Sequence, residues 1–215
     1  MMLTTERPYL PAAGHEWFLP MYDPLTKLLG FDAARRKLLD QADLKANHRV
    51  LDIGCGTGTL AVLTKRLYPN VDVAGLDPDP RALARARRKA QRAAVFVRFD
   101  RGFADAIGYA DATFDRVFSS MMFHHLEPQD KEPALREMHR VLKPGGRLEL
   151  LDFAGPASNG QSVLGRLIHS HHRLQENSEE RILTLMNAAG FADVTNVGHH
   201  TTVFGRVEYY QAVRE

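Results

Sequence analysis

Cysteine is nearly absent from the chain: Cys55 is the only one in 215 residues. A lone thiol excludes an intramolecular disulfide framework and a zinc site built on several cysteines, and a reducing cytoplasm is the expected compartment. Charge of one sign is missing too. Twenty-eight basic residues stand against 26 acidic ones, a formal net charge of +2. That is too little to argue for a nucleic-acid partner, and the ten histidines make the effective charge sensitive to pH near neutrality. Long hydrophobic runs are also absent, and none approaches the ~20 residues needed to cross a bilayer. Met1 to Trp17 carries Glu6, Arg7, Pro8, Pro11 and Glu16, and lacks both the uninterrupted apolar region and the cleavage site of a secretory leader. The expectation is a soluble cytoplasmic protein without a transmembrane segment, for which peripheral contact with a membrane stays open. The oligomeric state is not legible.

The chain does have the makings of one hydrophobic core. Apolar residues make up 44% and charged residues 25%, the balance of a globular protein, and the length suits a single α/β domain. Within it we expect an N-terminal cap over residues 1–45, a ligand-binding core over 46–155 and C-terminal helices with a hairpin over 156–215. The cap begins with a broken helical piece, His15 to Gly30, interrupted by Pro20 and Pro24; helical spacing follows over Phe31 to Leu44. From Arg49 onwards short apolar runs alternate with charged helices, the pattern of βαβ units around a parallel sheet. Strands are expected at Val50 to Ile53, Val71 to Leu76, Val95 to Phe99, Phe114 to Ser120 and Arg147 to Asp152. Helices are expected at Thr59 to Leu67, after an Asp79-Pro80 start signal, and at Lys131 to Leu142. The helix after Pro80 carries Arg81, Arg85, Arg87, Arg88, Lys89 and Arg92, read as a solvated face with Leu83, Ala86 and Ala90 turned inward. Val163 to Leu174 and Glu179 to Ala189 read as helices, Gly190 as a C-terminal cap, and Phe191 to Val213 as a β-hairpin.

The strongest signal is Val50-Leu51-Asp52-Ile53-Gly54-Cys55-Gly56-Thr57-Gly58, a strand that runs into a glycine-rich turn and then a helix. Glycines at 54, 56 and 58 allow a sharp bend and leave room for a ligand against the backbone, while the amides and positive end of the following helix suit an anionic group. About twenty residues on, the second strand ends in Asp77, where a carboxylate can accept hydrogen bonds from two ribose hydroxyls. The pair points to an adenosine-containing cofactor. The spacing is Gly-x-Gly-x-Gly, with Thr59 where a dinucleotide loop places its third glycine, which tilts the reading away from NAD.

At this point the sequence resembles the class I S-adenosylmethionine-dependent methyltransferases, in the branch similar to ubiquinone and menaquinone C-methyltransferases. The likeness rests on Leu51 to Gly58, Gly75-Leu76-Asp77-Pro78, Phe114-Asp115-Arg116-Val117, Phe123-His124-His125-Leu126 and Arg140-Val141-Leu142-Lys143-Pro144-Gly145-Gly146-Arg147, in that order over nearly half the chain. It implies a Rossmann-like three-layer sandwich whose seven-stranded, mostly parallel sheet runs 3-2-1-4-5-7-6 and ends in an antiparallel hairpin. It also implies S-adenosylmethionine as cofactor. Carried over by position, Asp52, Gly54, Gly56 and Gly58 surround the methionine end, with Cys55 and Thr57 counted among the cofactor-binding residues; Asp77 holds the ribose and Pro78 lies against adenine. Many relatives have an aspartate after the glycine that corresponds to Gly102; here it is Phe103, with Asp105 two residues on, so Phe103 either stacks on the adenine or packs inward, and Ala104 can meet the ring through its backbone. Ser119, Ser120 and Met121 fall where relatives line the reactive methyl.

Methyl transfer from a sulfonium needs proximity and alignment above all, and a base only when the acceptor keeps its proton. His124 and His125 lie just beyond the fourth strand, at the carboxyl end of the sheet, and are candidate bases or orienting groups; Tyr22 in the cap is a candidate for the acceptor pocket. The acceptor is expected to be a small molecule or a lipid- or quinone-like one, since Trp17, Phe18, Leu19, Met21, Leu25, Leu28 and Leu29 could form an apolar lid or a membrane-facing surface. The one-cysteine count argues against methylation of a thiol-bound metalloid. No metal is expected: His169 and His172 share a helix face but lack a carboxylate at metalloprotease spacing, and His199-His200 stand in the hairpin. Two other functions keep a place. A nicotinamide-dependent oxidoreductase is disfavoured by the loop spacing and by the lack of a Tyr-x-x-x-Lys pair. A non-catalytic cofactor-binding module is kept open by Phe103.

Overall fold

Alternation along the first strand sets up two cores. In β1 (Arg49–Ile53) Val50 packs into one buried cluster, while Leu51 and Ile53 pack into the other, on the opposite face of the sheet. A strand buried on both faces needs helices on both, and the sequence supplies them. The computed structural model describes residues 31–153, 178–202 and 205–215. On the first face lie α1 (Phe31–Gln41), α2 (Thr59–Leu67) and α3 (Pro80–Arg92); on the second lie α4 (Pro128–Val141) and α5 (Glu179–Ala188). The remaining strands are β2 (Asp72–Asp77), β3 (Arg98–Arg101), β4 (Phe114–Ser120), β5 (Leu142–Phe153), β6 (Ala192–Thr202) and β7 (Gly205–Val213). They form one sheet of order β3-β2-β1-β4-β5-β7-β6, parallel from β3 to β5 and antiparallel at β7 and β6. This is the expected topology. The order turns back on itself at β1, which sits between β2 and β4, so the carboxyl ends of these strands open a crevice where α/β sheets take ligands.

Local chemistry explains the element ends that position the site. Asp79 caps α3: its Oδ1 accepts from the Arg81 amide at 2.8 Å, and Pro80 follows with its φ already suited to the first turn. Leu83, Ala86 and Ala90 are buried, as the pattern predicts, and so is Ala82. Not all of this helix's basic residues face water, however. Lys89 reaches back to the hydroxyls of Thr57 and Thr59, at 3.0 and 2.6 Å, and Arg87 donates to the Phe99 carbonyl at 2.7 Å.

Several expected boundaries move, among them the end of α1, at Gln41 rather than Leu44, and the end of β3, at Arg101 rather than Phe99. The third strand pairs with β2 only from Arg98, because the extended run before it holds Val97 in the core but leaves Phe96 77% exposed and off the ladder. Helix α4 starts three residues earlier than expected, with Pro128 in its first turn, where a missing N–H costs nothing, and it tolerates Pro133 inside. Strand β5 begins at Leu142 rather than Arg147. Lys143 to Gly146 form a bulge in the β4 pairing, and Gly145 and Gly146 exchange backbone hydrogen bonds with Arg214 beyond β7.

Helix α1 is tied to the far half of the sheet. The carbonyls of Ala34, Gln41 and Ala42 accept from the Tyr209 hydroxyl, Arg147 and Arg116 at 3.1, 2.7 and 2.7 Å. Lys37 and Gln41 donate to the carbonyls of His199 and Val197 in β6. The predicted helices and cap pieces at His15 to Gly30 and Val163 to Leu174 lie outside the described residues, as does Tyr22. No described helix is long and apolar enough to cross a membrane.

Candidate active site

The turn after β1 is built around Asp77. The amides of Gly54 and Cys55 donate to the Leu76 carbonyl at 2.8 and 3.1 Å, which folds the turn over the end of β2. Asp77 then bridges the two loops: Oδ2 accepts from the Gly56 amide at 2.7 Å and Oδ1 from the Asp79 amide at 2.9 Å. Burial pushes its carboxyl up to about 6, although both amides and the neighbouring Asp79 also act on it. Two glycines are required by shape. Gly54, at φ +65°, has the Met122 side chain lying where a Cβ would stand, 2.1 Å from Cγ; Gly58, at φ +74°, would bring a Cβ to 2.8 Å from Ala86 and 2.9 Å from Phe99.

Above this turn opens a cavity of about 620 Å³. It is lined by Asp52, Gly54, Cys55, Gly56, Thr57, Asp77, Pro78, Phe103, Ala104, Ser120 and Met121, so most of the residues singled out from the sequence come together. Gly58 lies behind the turn as the cap of α2, and the fully buried Ser119 does not reach the cavity. Met121 holds φ +58°, an uncommon conformation for a side chain of its size, and turns the chain out of β4 towards the cavity.

The two adjacent histidines separate. His125, in the short 3-10 turn Phe123–His125, faces the cavity beside Met121, Met122 and Leu126. His124 is buried beneath it, with the ring centroids 4.0 Å apart. Its Nδ1 lies 2.6 Å from Asp152 Oδ1 and its backbone amide donates to Asp152 Oδ2 at 3.1 Å. Burial alone would raise the Asp152 carboxyl, but the charge and hydrogen bonds of His124 hold it below the usual carboxylate range.

Asp52 has a different environment. It is 2% exposed, its Oδ2 has no hydrogen-bond partner among the described residues, and burial pushes its carboxyl up to about 7 against the pull of the Arg35 guanidinium and the Ala61 amide. Arg35 also lines the cavity. Its sequence position held the clue: it falls on the stripe of Phe31, Ala34, Leu38 and Leu39, one charge on an otherwise apolar helix face. Gln129, Glu127 and Asp130, at the start of α4, complete the far wall.

A family model described as a methyltransferase domain matches residues 50–146. A demethylmenaquinone methyltransferase of Thermus thermophilus is 41% identical over 151 residues, covering 69% of this chain and 68% of that one. This chain belongs to the class I S-adenosylmethionine-dependent methyltransferases, in their ubiquinone/menaquinone C-methyltransferase-like branch. A demethylmenaquinone methyltransferase of Lactiplantibacillus plantarum is 31% identical over 220 residues, covering 88% of the methyltransferase and 92% of the relative. In fold, the methyltransferase is similar to the YcgJ protein of Bacillus subtilis, with a TM-score of 0.72 at 21% identity over 86% of this chain and 99% of that one. The methyltransferase uses S-adenosylmethionine, and the nicotinamide and non-catalytic alternatives fall with that assignment.

The residues present fit this cofactor. A buried carboxylate oxygen without a partner, at Asp52, suits an ammonium group, and a bent turn whose Gly56 amide is held by Asp77 joins the two walls that an adenosyl group must touch. Among the described residues no cluster of His, Cys, Asp and Glu could hold a metal; His169 and His172 lie outside them.

Proposed function

We propose that the methyltransferase acts on a small quinone-like acceptor in its reduced, hydroxyl-bearing form, held against Met121, Met122, Leu126 and His125. The observation that carries this is the continuity of one cavity, which joins the glycine turn to an apolar wall bearing the imidazole of His125. The names of the Thermus and Lactiplantibacillus relatives support the same class of acceptor.

In this reading Asp77 keeps one lone pair on each oxygen for a ribose hydroxyl, since each already accepts one amide. Pro78, Phe103 and Ala104 enclose the adenine, and Cys55, Gly56 and Thr57 carry the chain around the methionine end. Ser120 and Met121 border the reactive methyl. When bound, S-adenosylmethionine supplies a methyl group on a positively charged sulfur, which leaves as a neutral thioether. Whether the new bond forms at carbon or oxygen, the acceptor gains a methyl and releases one proton, and His125 accepts that proton. His124 does not touch the acceptor: locked to Asp152 and lying against the His125 ring, it holds the base in place.

The test is transfer of a labelled methyl group to a reduced short-chain naphthoquinone. His125→Ala should lower kcat about 100-fold at neutral pH, and Asp152→Asn by a smaller factor, with the affinity for S-adenosylhomocysteine unchanged in both. Labelling of an amine acceptor and of no hydroquinone, or full activity in His125→Ala, would overturn the proposal.

A further inference from the structure

We infer that Arg35, on the helix ahead of β1, and Asp52, near the end of β1, form a two-point receptor for the amino-acid end of the methyl donor, guanidinium to carboxylate and carboxylate to ammonium. This rests on the cavity being the donor site and deepens that reading by assigning Arg35, which lies ahead of the residues that match the methyltransferase domain model.

Arg35 is 6% exposed, yet its one hydrogen bond among the described residues is a long one, from Nη1 to Asp32 Oδ1 at 3.4 Å. A guanidinium has five N–H donors in a fixed fork, and this one, which lines the cavity, spends only one of its nitrogens on that bond. Asp52 is the mirror image: a fully buried carboxylate with Oδ2 unpaired. Two opposite buried charges that line one cavity would ordinarily satisfy each other. Here the ion-pair partner of Arg35 is Asp32, itself 39% exposed on the side chain, and not Asp52. Both side chains line the same cavity and form no ion pair with each other, which leaves an interval between the two charges.

A free amino-acid group fits such an interval, because it carries a carboxylate and an ammonium on one carbon. The planar fork of arginine matches a carboxylate in bidentate fashion, and charge-assisted hydrogen bonds of this kind are about twice as strong as neutral ones. Helix α1 is an adequate platform, being fixed to β4, β5, β6 and β7 by the hydrogen bonds described above. The competing assignment is purely structural, in which Arg35 only offsets the charge of Asp52.

Calorimetry with three ligands separates the two. S-Adenosylhomocysteine carries the whole amino-acid end, its decarboxylated analogue keeps the ammonium, and 5′-methylthioadenosine lacks both groups. Arg35→Gln should weaken S-adenosylhomocysteine by about 10- to 100-fold while changing the other two by less than about threefold; Arg35→Lys, which keeps the charge but not the fork, should fall between. Equal weakening of all three, or of none, would overturn the inference. Should Arg35→Gln fail to fold, the parent decides: it should bind S-adenosylhomocysteine at least about tenfold tighter than the decarboxylated analogue, and equal affinities would overturn the inference. A parent that binds none of the three would sink the donor-site reading itself, and the inference with it.

Discussion

A carboxylate buried without a full set of partners destabilises the protein that carries it. Asp52 is such a group, with an ionisation range lifted to about 7 by burial. The sign follows from linkage. A carboxyl that holds its proton more tightly in the folded state lends stability below the ordinary carboxylate range, and loses it as pH rises through 7. Asp52→Asn cannot ionise, so the variant without ligand should be roughly 3 kcal/mol more stable than the parent at pH 8, with the advantage falling by more than half at pH 5. Urea midpoints at the two pH values measure this, and a pH-independent difference would refute it. The same variant should bind S-adenosylhomocysteine more weakly at pH 8, because it loses the charge proposed to meet the ammonium. Stability is thus traded for a site, which is why sequence pattern and chemistry diverge at this residue.

At the scale of elements, glycines with nearly equal φ serve different ends. Gly58 and Gly145 have φ of +74° and +75°. A Cβ at Gly58 would press on Ala86 and Phe99, whereas one at Gly145 would meet nothing within 4 Å. Gly145→Ala should therefore cost about 1 kcal/mol, the penalty of the left-handed conformation, and Gly58→Ala about 3 kcal/mol as overpacking is added. Chemical denaturation of both variants checks the difference, and equal costs would show that the packing around α2 and α3 yields. The boundaries of α2 and the start of α3 were legible because their signals are local: Pro69 after one, Asp79-Pro80 before the other. The start of β3 was not, since Val95, Phe96 and Val97 have strand-like residue types but lie where β2 offers no partner. The extension of β5 back to Leu142 was hidden by Pro144-Gly145-Gly146, whose hydrogen bonds are completed by Arg214, nearly seventy residues away.

For the whole molecule, the sheet order came from the resemblance of five motifs, and the structure has the same order. The cavity was largely legible where it is made of turns that follow strands, since glycines, Asp77 and the histidines announce themselves by type and spacing. It was faint at Arg35, whose one sign is a charge on the apolar stripe of α1, and illegible at the division between His124 and His125, which Asp152 decides from another strand. Sequence shows which residues have the chemistry; which of two neighbours faces the ligand is settled by a partner far along the chain.

The anchoring of α1 makes the two ends of the described chain share one fate. Its carbonyls receive Tyr209 and Arg147 on one side, and Arg35 stands at the cavity on the other, so a nucleoside ligand that immobilises this helix also stiffens the antiparallel edge behind it. Amides of β7 should exchange with deuterium several-fold more slowly once S-adenosylhomocysteine is bound, although none of them lines the cavity. Unaltered exchange there would mean that occupancy is felt by the parallel half alone.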